Sequence, residues 1–341
     1  MKNFCAVCVS VIILTIISSC GSGSKKQVTP NSDTIPADIA KVSEMINKDP
    51  ENASLYNDRA KIYIQKKDMN NALNDINKAM SLDSSKAPFY VTLSDILFAQ
   101  GNITNCRKAL EKCFTIDPKY VEGLMKLAEL HLFFKEYKQT LDFINKATDV
   151  DKFNPKAYLM AGVTYKEMGD TISAIKSFQK SLEQDDKLIE ADIQLGILFS
   201  TKHNRLAVDY LNNALKVNPS SIEAHYALGM FYQENDELNK AIEEYTTILK
   251  IDPKNKNASY NLGYIHLVYL KVYDVAVKHF TNAISSDPNY AEAYFNRGYC
   301  YELLGDVNNS LLDYKKAQEI RPGYQKALDG QKRITSFKNM K

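Results

Sequence analysis

Along most of the chain, apolar residues recur at three- and four-residue intervals and break off at regular turns. Between Ala291 and Tyr324 the stripe runs through Ala293, Tyr294, Arg297, Gly298 and Tyr301, stops at Gly305-Asp306, and resumes at Leu311, Tyr314, Ala317 and Ile320 before Pro322. Such spacing puts side chains on one face of an α-helix, and a proline cannot donate to the helical ladder. The pattern predicts two short antiparallel helices joined by a tight turn.

The same pattern recurs upstream, with Asp83, Asp117, Asp151, Asp185, Asn218, Asp252, Asp287 and Arg321 marking successive turns at spacings of 34, 34, 34, 33, 34, 35 and 34. Eight repeats are expected across 53–324: 53–86, 87–120, 121–154, 155–188, 189–221, 222–255, 256–290 and 291–324. The fifth is one residue short around His203-Asn204-Arg205, and the seventh is one residue long within Leu267 to Asp274. One inserted residue rotates a helix face by about 100°, so both slips are expected in the turns between helices. A capping helix is expected over 37–52, with Ile39, Val42, Met45 and Ile46 at helical spacing. Another is expected over 325–341, where Leu328, Ile334 and Phe337 oppose Lys326, Lys332, Arg333 and Lys338, although Gly330 weakens it.

These residues resemble the tetratricopeptide repeat (TPR), a helix-turn-helix of about 34 residues. With Ala291 as position 1, the aromatic at 4 is Tyr294, the small residue at 8 is Gly298 and the aromatic at 11 is Tyr301; Gly305, Tyr314, Ala317 and Pro322 fall at 15, 24, 27 and 32. Position 20, usually alanine, is Ser310. The resemblance implies an all-α fold, a TPR superhelical solenoid in which stacked repeats bury one another's apolar faces. Almost all of the chain is then repeat, cap or tether, with little room for a catalytic domain.

The first 20 residues hold one early cation, Lys2, and an apolar run from Phe4 to Ile17. That run is short for a membrane span of about 20 residues and suits a signal-peptide core. The stretch Ile17-Ser18-Ser19-Cys20-Gly21 resembles the bacterial lipobox, so 1–19 is expected to be a lipoprotein signal peptide and Cys20 the lipidated residue. The alternative is an ordinary secretory signal with an incidental cysteine. Residues 20–36 then form a lipidated cysteine and flexible tether rich in glycine, serine and lysine. The expected location is the cell envelope, on the periplasmic face of the outer membrane.

Composition alters this picture little. The net charge is +2, and loss of Lys2 with the signal leaves 42 cations against 41 anions, or +1, so no strong field attracts nucleic acid. Cys106, Cys113 and Cys300 remain after processing and read as small buried thiols, with redox sensing the alternative. No phosphate-cradling loop, serine-nucleophile turn or zinc-binding histidine pair is present in the sequence. No enzyme activity, cofactor or metal is expected.

In proteins similar to this one, partners bind the inner surface, lined by first-helix positions such as 2, 5, 9, 12 and 13. Lys61, Asp95 and Glu129 stand at position 9 in the first three repeats, whereas the last five are apolar or aromatic at both 5 and 9. The candidate partner-binding groove is Leu159, Val163, Ile193, Ile197, Tyr226, Met230, Tyr260, Tyr264, Phe295 and Tyr299. Packing between neighbouring repeats is the competing explanation. The expected function is a non-catalytic scaffold that binds protein partners in the envelope, with glycan binding by Tyr226, Tyr260, Tyr264 and Tyr299 as the alternative.

Overall fold

The computed structural model describes residues 36–339, with side chains to residue 336. The signal peptide, Cys20 and nearly all of the tether lie outside the described residues, as does the Phe337 side chain. Every regular element among the described residues is helical. The chain falls into two compact units that meet in sequence at Asp170 and Thr171. The first contains α1 (Ala37–Lys48), α2 (Ala53–Gln65), α3 (Met69–Leu82), α4 (Ala87–Ala99), α5 (Ile103–Ile116), α6 (Val121–Phe133), α7 (Tyr137–Val150) and α8 (Pro155–Glu167). The second contains α9 (Thr171–Gln184), α10 (Ile189–Ser200), α11 (Leu206–Val217), α12 (Ile222–Glu234), α13 (Leu238–Ile251), α14 (Lys256–Tyr264), a π-helix (Ile265–Leu270), α15 (Tyr273–Ser286), α16 (Ala291–Leu303), α17 (Val307–Ile320) and α18 (Gln325–Asn339).

The turns explain the register. At the end of most second helices an Asp or Asn turns back on the chain: Asp117 Oδ1 accepts from Lys119 N at 2.9 Å, and Asp252 Oδ1 from Lys254 N at 3.1 Å. The next first helix is capped by Asn52, Asn154, Ser221 or Asn255, whose side chains accept a backbone N–H. Between paired helices one residue takes a left-handed conformation. Gly101, Gly169 and Gly305 do so at no steric cost, and Lys67, Lys135, His203 and Asp236 occupy the same place.

Packing within a pair is a match of sizes. A Cβ on Gly229 would lie 2.6 Å from the Tyr245 ring, and one on Gly263 would lie 2.8 Å from that of Phe280. Where the facing residue is Ile76 or Ile144, the small position is Ala60 or Ala128. Helix α18 runs unbroken through Gly330, whose missing Cβ makes room for the Tyr314 ring at 2.6 Å.

The seventh repeat departs from the sequence expectation. Its extra residue sits in the π-helix Ile265–Leu270, inside the first helix, and not in the turn. A π-turn takes up one more residue than an α-turn while the axis continues, so the face rotates only locally. The fifth repeat loses its residue near the start of α11, where Asn204 Oδ1 accepts from Leu206 N at 3.0 Å.

Two buried latches repeat the same geometry. Arg59 donates from Nε and Nη2 to both Asp75 oxygens at 2.7 Å, and from Nη1 to Ser43 on α1 at 2.9 Å. Arg297 donates to Asp313 at 2.7 and 2.8 Å, and to Thr281 on α15 at 3.0 Å. Helix α1 therefore occupies the place of a second helix in front of the first pair.

Near the start of α2, α4 and α8 a tyrosine hydroxyl donates to a carbonyl six residues back. Tyr56, Tyr90 and Tyr158 hydroxyls reach Pro50, Ser84 and Lys152 at 3.1, 3.0 and 2.8 Å. In α10 the residue is Asp192, which is 2% exposed. Burial pushes its carboxyl up to about 6, with Lys216 lowering it and Asp186 raising it further. The folded state then holds a proton that the unfolded chain, with an ordinary value of 3.8, releases sooner. Stability falls as pH rises through this window, because below it both states are protonated. Asp192→Asn is expected to stabilise the protein by about 1–2 kcal/mol above pH 7 and by almost nothing at pH 4. Urea titrations of both proteins from pH 4 to pH 8 check this; a gap independent of pH would exclude the titration of Asp192 as its source.

Candidate functional site: the first-helix stripe

First helices in this fold present residues i, i+3, i+7 and i+11 along one face. On α12 that row is Glu223, Tyr226, Met230 and Glu234, and on α16 it begins Glu292, Phe295, Tyr299. The ten groove candidates all lie on such rows, but they differ in accessibility. In the first unit, on α8, Leu159 is buried and Val163 half-buried. In the second unit Ile193 is buried, whereas Ile197, Tyr226, Met230, Tyr260, Tyr264, Phe295 and Tyr299 are half-buried.

Half of each exposed row is engaged by the next repeat. Asn261 donates to the Tyr226 hydroxyl at 3.3 Å and approaches Met230 Sδ at 3.8 Å. Asn296 donates to the Tyr260 hydroxyl at 2.8 Å. The Tyr260 ring stacks on Tyr290 at 5.0 Å and on Tyr264 at 6.5 Å, and meets Phe280 edge-on at 5.6 Å. Burial pushes the Tyr260 hydroxyl well above its ordinary value. Phe295 packs against Tyr314 and Tyr324, and stacks on Tyr299 at 6.5 Å. Tyr226, Tyr260 and Phe295 are thus tied to the repeat or cap that follows, and Met230, Tyr264 and Tyr299 lie one turn further along the same face, half-buried. A sugar ring needs a free aromatic face, and Tyr260 is already stacked on Tyr290 and Tyr264. The π-helix adds a residue that sequence reasoning did not select: Tyr269, 40% exposed, meets Tyr264 edge-on at 6.3 Å.

The first unit is built differently. Asn57 accepts from Thr92 at 2.7 Å, and Lys126 bridges Asp95 at 2.8 Å and Glu129 at 3.3 Å. Burial alone would depress the Lys126 ammonium, but the two carboxylates outweigh it and hold the group above an ordinary lysine. The two carboxylates at the second row position there, Asp95 and Glu129, are bridged by Lys126, which stands beside the row.

The remaining chemistry-bearing side chains are structural. Cys106, Cys113 and Cys300 are free and buried, and burial pushes their thiols up to about 11, 11 and 12. Such thiols stay protonated and unreactive at neutral pH. His225 places Nε2 at 3.1 Å from the Pro219 carbonyl and Nδ1 at 2.6 Å from Glu244. His266 and His279 stack at 5.2 Å, and burial followed by the His266 charge lowers the His279 value. Among the described residues, no three His, Cys, Asp or Glu side chains converge as a metal site.

Comparisons with known proteins agree with this architecture. Models of the tetratricopeptide repeat match residues 53–86 and 291–328. The model of the ChAPs (Chs5p-Arf1p-binding proteins) matches residues 78–259, a little over half of the chain. The Superkiller protein 3 of Schizosaccharomyces pombe is 24% identical over 238 residues, covering 64% of this chain and 17% of that protein. The chain spans less than half the length of the curated relatives it matches. The C-terminal part of a TPR repeat-containing protein from Cytophaga hutchinsonii superposes with a TM-score of 0.58 at 18% identity, covering 70% of this chain and 98% of that one. The pilF protein of Pseudomonas aeruginosa superposes with a TM-score of 0.53 at 15% identity, covering 60% and 93%. These likenesses show the fold. By its paired helices, its turn register and these matches, the chain is a solenoid of tetratricopeptide repeats, and by the model that matches residues 78–259 it belongs to the ChAPs (Chs5p-Arf1p-binding proteins) family.

Proposed function

We propose that this chain is a non-catalytic scaffold of the bacterial cell envelope, anchored by a lipid on Cys20, that holds a protein partner along the first-helix stripe of its second unit. The observation that carries the reading is the change of character along the row. Where the first unit has the closed Asp95–Lys126–Glu129 network, the second presents half-buried Met230, Tyr264 and Tyr299. Partly exposed aromatic and methionine side chains on a rigid support are what dominate protein recognition. The lipobox-like Ile17-Ser18-Ser19-Cys20 supports the envelope reading, with the periplasmic face of the outer membrane as the site of attachment. An outer-membrane, secretion or cell-wall assembly is the kind of machinery such an anchored scaffold would serve.

The test is in-cell crosslinking from a photoreactive residue at position 264, with position 66 in the α2–α3 turn as control. One envelope protein recovered at 264 and absent at 66 is the expected result. The same background at both positions would show that the stripe is packing alone.

A further inference from the structure

The turns inside the first helix pairs leave an aromatic cluster open to solvent. Phe98, Phe133 and Phe134 are between 39% and 49% exposed, yet they touch one another: Phe133 meets Phe98 edge-on at 5.4 Å and Phe134 at 5.2 Å. Phe98 and Phe133 lie in the last turns of α4 and α6, and Phe134 ends α6. Single exposed apolar residues are ordinary, whereas three in mutual contact form a patch. Arg107 stands over the Phe134 ring at 5.6 Å and reaches Glu136 at 3.7 Å.

Cations surround the patch. The first three turns, 64–71, 98–105 and 132–139, hold Lys66, Lys67, Lys135 and Lys138 against Asp68 and Glu136. Both carboxylates are engaged locally, Asp68 in capping α3 and Glu136 by His131 and Arg107. Lys67, Lys135 and Lys138 are exposed and enter no ion pair among the described residues. The fourth turn, with Lys166 against Glu167 and Asp170, adds the exposed Met168. The last three turns of the second unit are the reverse, since 233–240, 267–274 and 302–309 hold six carboxylates against Lys240 and Lys271.

The chain also arrives at this edge. Helix α1 takes the place of a second helix, so it starts where second helices start, and Asp38 in its first turn pairs with Lys66 at 3.0 Å. Whatever precedes Pro36 therefore joins the structure on the side of the aromatic cluster. Residues 20–35 span at most about 55 Å when fully extended, so a membrane that held Cys20 would lie within that distance of this edge.

We propose that the turn edge of the first unit rests on the phospholipid surface that anchors the chain, with Phe98, Phe133 and Phe134 at the headgroup level and Lys67, Lys135 and Lys138 on lipid phosphates. A ring entering the headgroup region loses its contact with water, and each lysine near an anionic surface adds to the attraction. A tether holds the edge at high effective concentration beside the membrane, so contacts too weak to retain a free chain suffice. The inference rests on the lipid anchor proposed above and adds how the anchored chain lies.

The chain contains no tryptophan, so Phe134→Trp creates a single reporter at the edge. Phe153→Trp creates another at a 75%-exposed phenylalanine between the third and fourth repeats. That position is at the other end of α7, about 20 Å along the helix axis. Each full-length protein is purified from cells with its anchor and reconstituted in vesicles of phosphatidylglycerol and phosphatidylethanolamine, with or without bromine on the acyl chains. The reporter at 134 is expected to shift to the blue and to lose at least about half of its emission to brominated lipid, because such groups enter the headgroup and acyl boundary. The reporter at 153 should do neither. Adding Lys67→Glu, Lys135→Glu and Lys138→Glu to Phe134→Trp is expected to remove most of the quenching. Equal quenching at both positions, or none at either in a chain that floats with the vesicles, overturns the proposal while the anchor stands. Quenching at 134 that ignores the three charge reversals overturns the phosphate contacts. If mass spectrometry finds no lipid on Cys20, the anchor falls instead: quenching at 134 then keeps the membrane edge, and its absence removes both.

Discussion

Replacing Arg297 by leucine is expected to lower the stability of the protein by about 3–5 kcal/mol, since it strands a buried carboxylate. Asp313 is 5% exposed and accepts both of its close charge-assisted hydrogen bonds from that guanidinium. Burial already pushes the Asp313 carboxyl up, and Arg297 is what draws it back. The further change Asp313→Ala should recover most of the loss. The second repeat carries Leu93 and Ala109 at these two positions and folds without the pair. An apolar pair of similar volume is often as stable as a buried ion pair, whereas half of one is not. Urea unfolding of the two single variants and the double variant forms a complete cycle. A double variant as unstable as Arg297→Leu alone would mean that the arginine acts through its bond to Thr281 or through packing, and not through the carboxylate.

The second large effect concerns size. Gly229→Leu is expected to cost about 3 kcal/mol, at the upper end of what overpacking a core does. The Cβ alone would approach three atoms of the Tyr245 ring at 2.6, 2.9 and 3.0 Å, and that ring is fully buried, so it has nowhere to move. Gly229→Ala sets two terms against each other. Helix propensity favours alanine by about 1 kcal/mol, and the clash opposes it by about 1–3 kcal/mol. A net loss is expected, because ring atoms held from all sides cannot give. Combining Gly229→Ala with Tyr245→Ile reproduces the Ala60–Ile76 and Ala128–Ile144 pairings and should recover stability relative to Tyr245→Ile alone. Thermal unfolding of the three variants decides this: if Gly229→Ala raises the midpoint, propensity outweighs the contact and the size match is not what selects glycine.

The helix-pair architecture was legible in the sequence because its determinants are local and recur. A stripe at three- and four-residue spacing, a small residue facing a large one, and a turn that prolines often follow are all written within a single repeat. The π-helix was not legible for a reason particular to it. The count from Asp252 to Asp287 shows one extra residue, but not whether a turn or a helix takes it up, and steric intuition favours the turn. Gly330 misled in the same way. Read along the chain it is a helix breaker, and read across to Tyr314 it is a clearance.

The stripe was legible as a row of apolar residues and less so as a surface. Position in the repeat placed Tyr226 and Tyr260 on it, but their hydroxyls are taken by Asn261 and Asn296, one repeat further on. A signal was available: asparagine recurs at the sixth position of the seventh and eighth repeats, 35 residues apart, and Thr92 occupies that position in the second. Tyr269 left no comparable trace, since it reaches Tyr264 by way of the widened turn.

The paired latches bear on how the molecule opens. In a linear stack each interior repeat is held from two sides and a terminal one from fewer, so local opening is expected to begin at the ends. The Arg59–Asp75–Ser43 and Arg297–Asp313–Thr281 triads stand in the first and last repeats, each joining its repeat to the helix before it. They act against fraying where neighbour contacts are fewest. The amide protection of α2 and α17 should therefore approach that of interior helices rather than decay towards the ends.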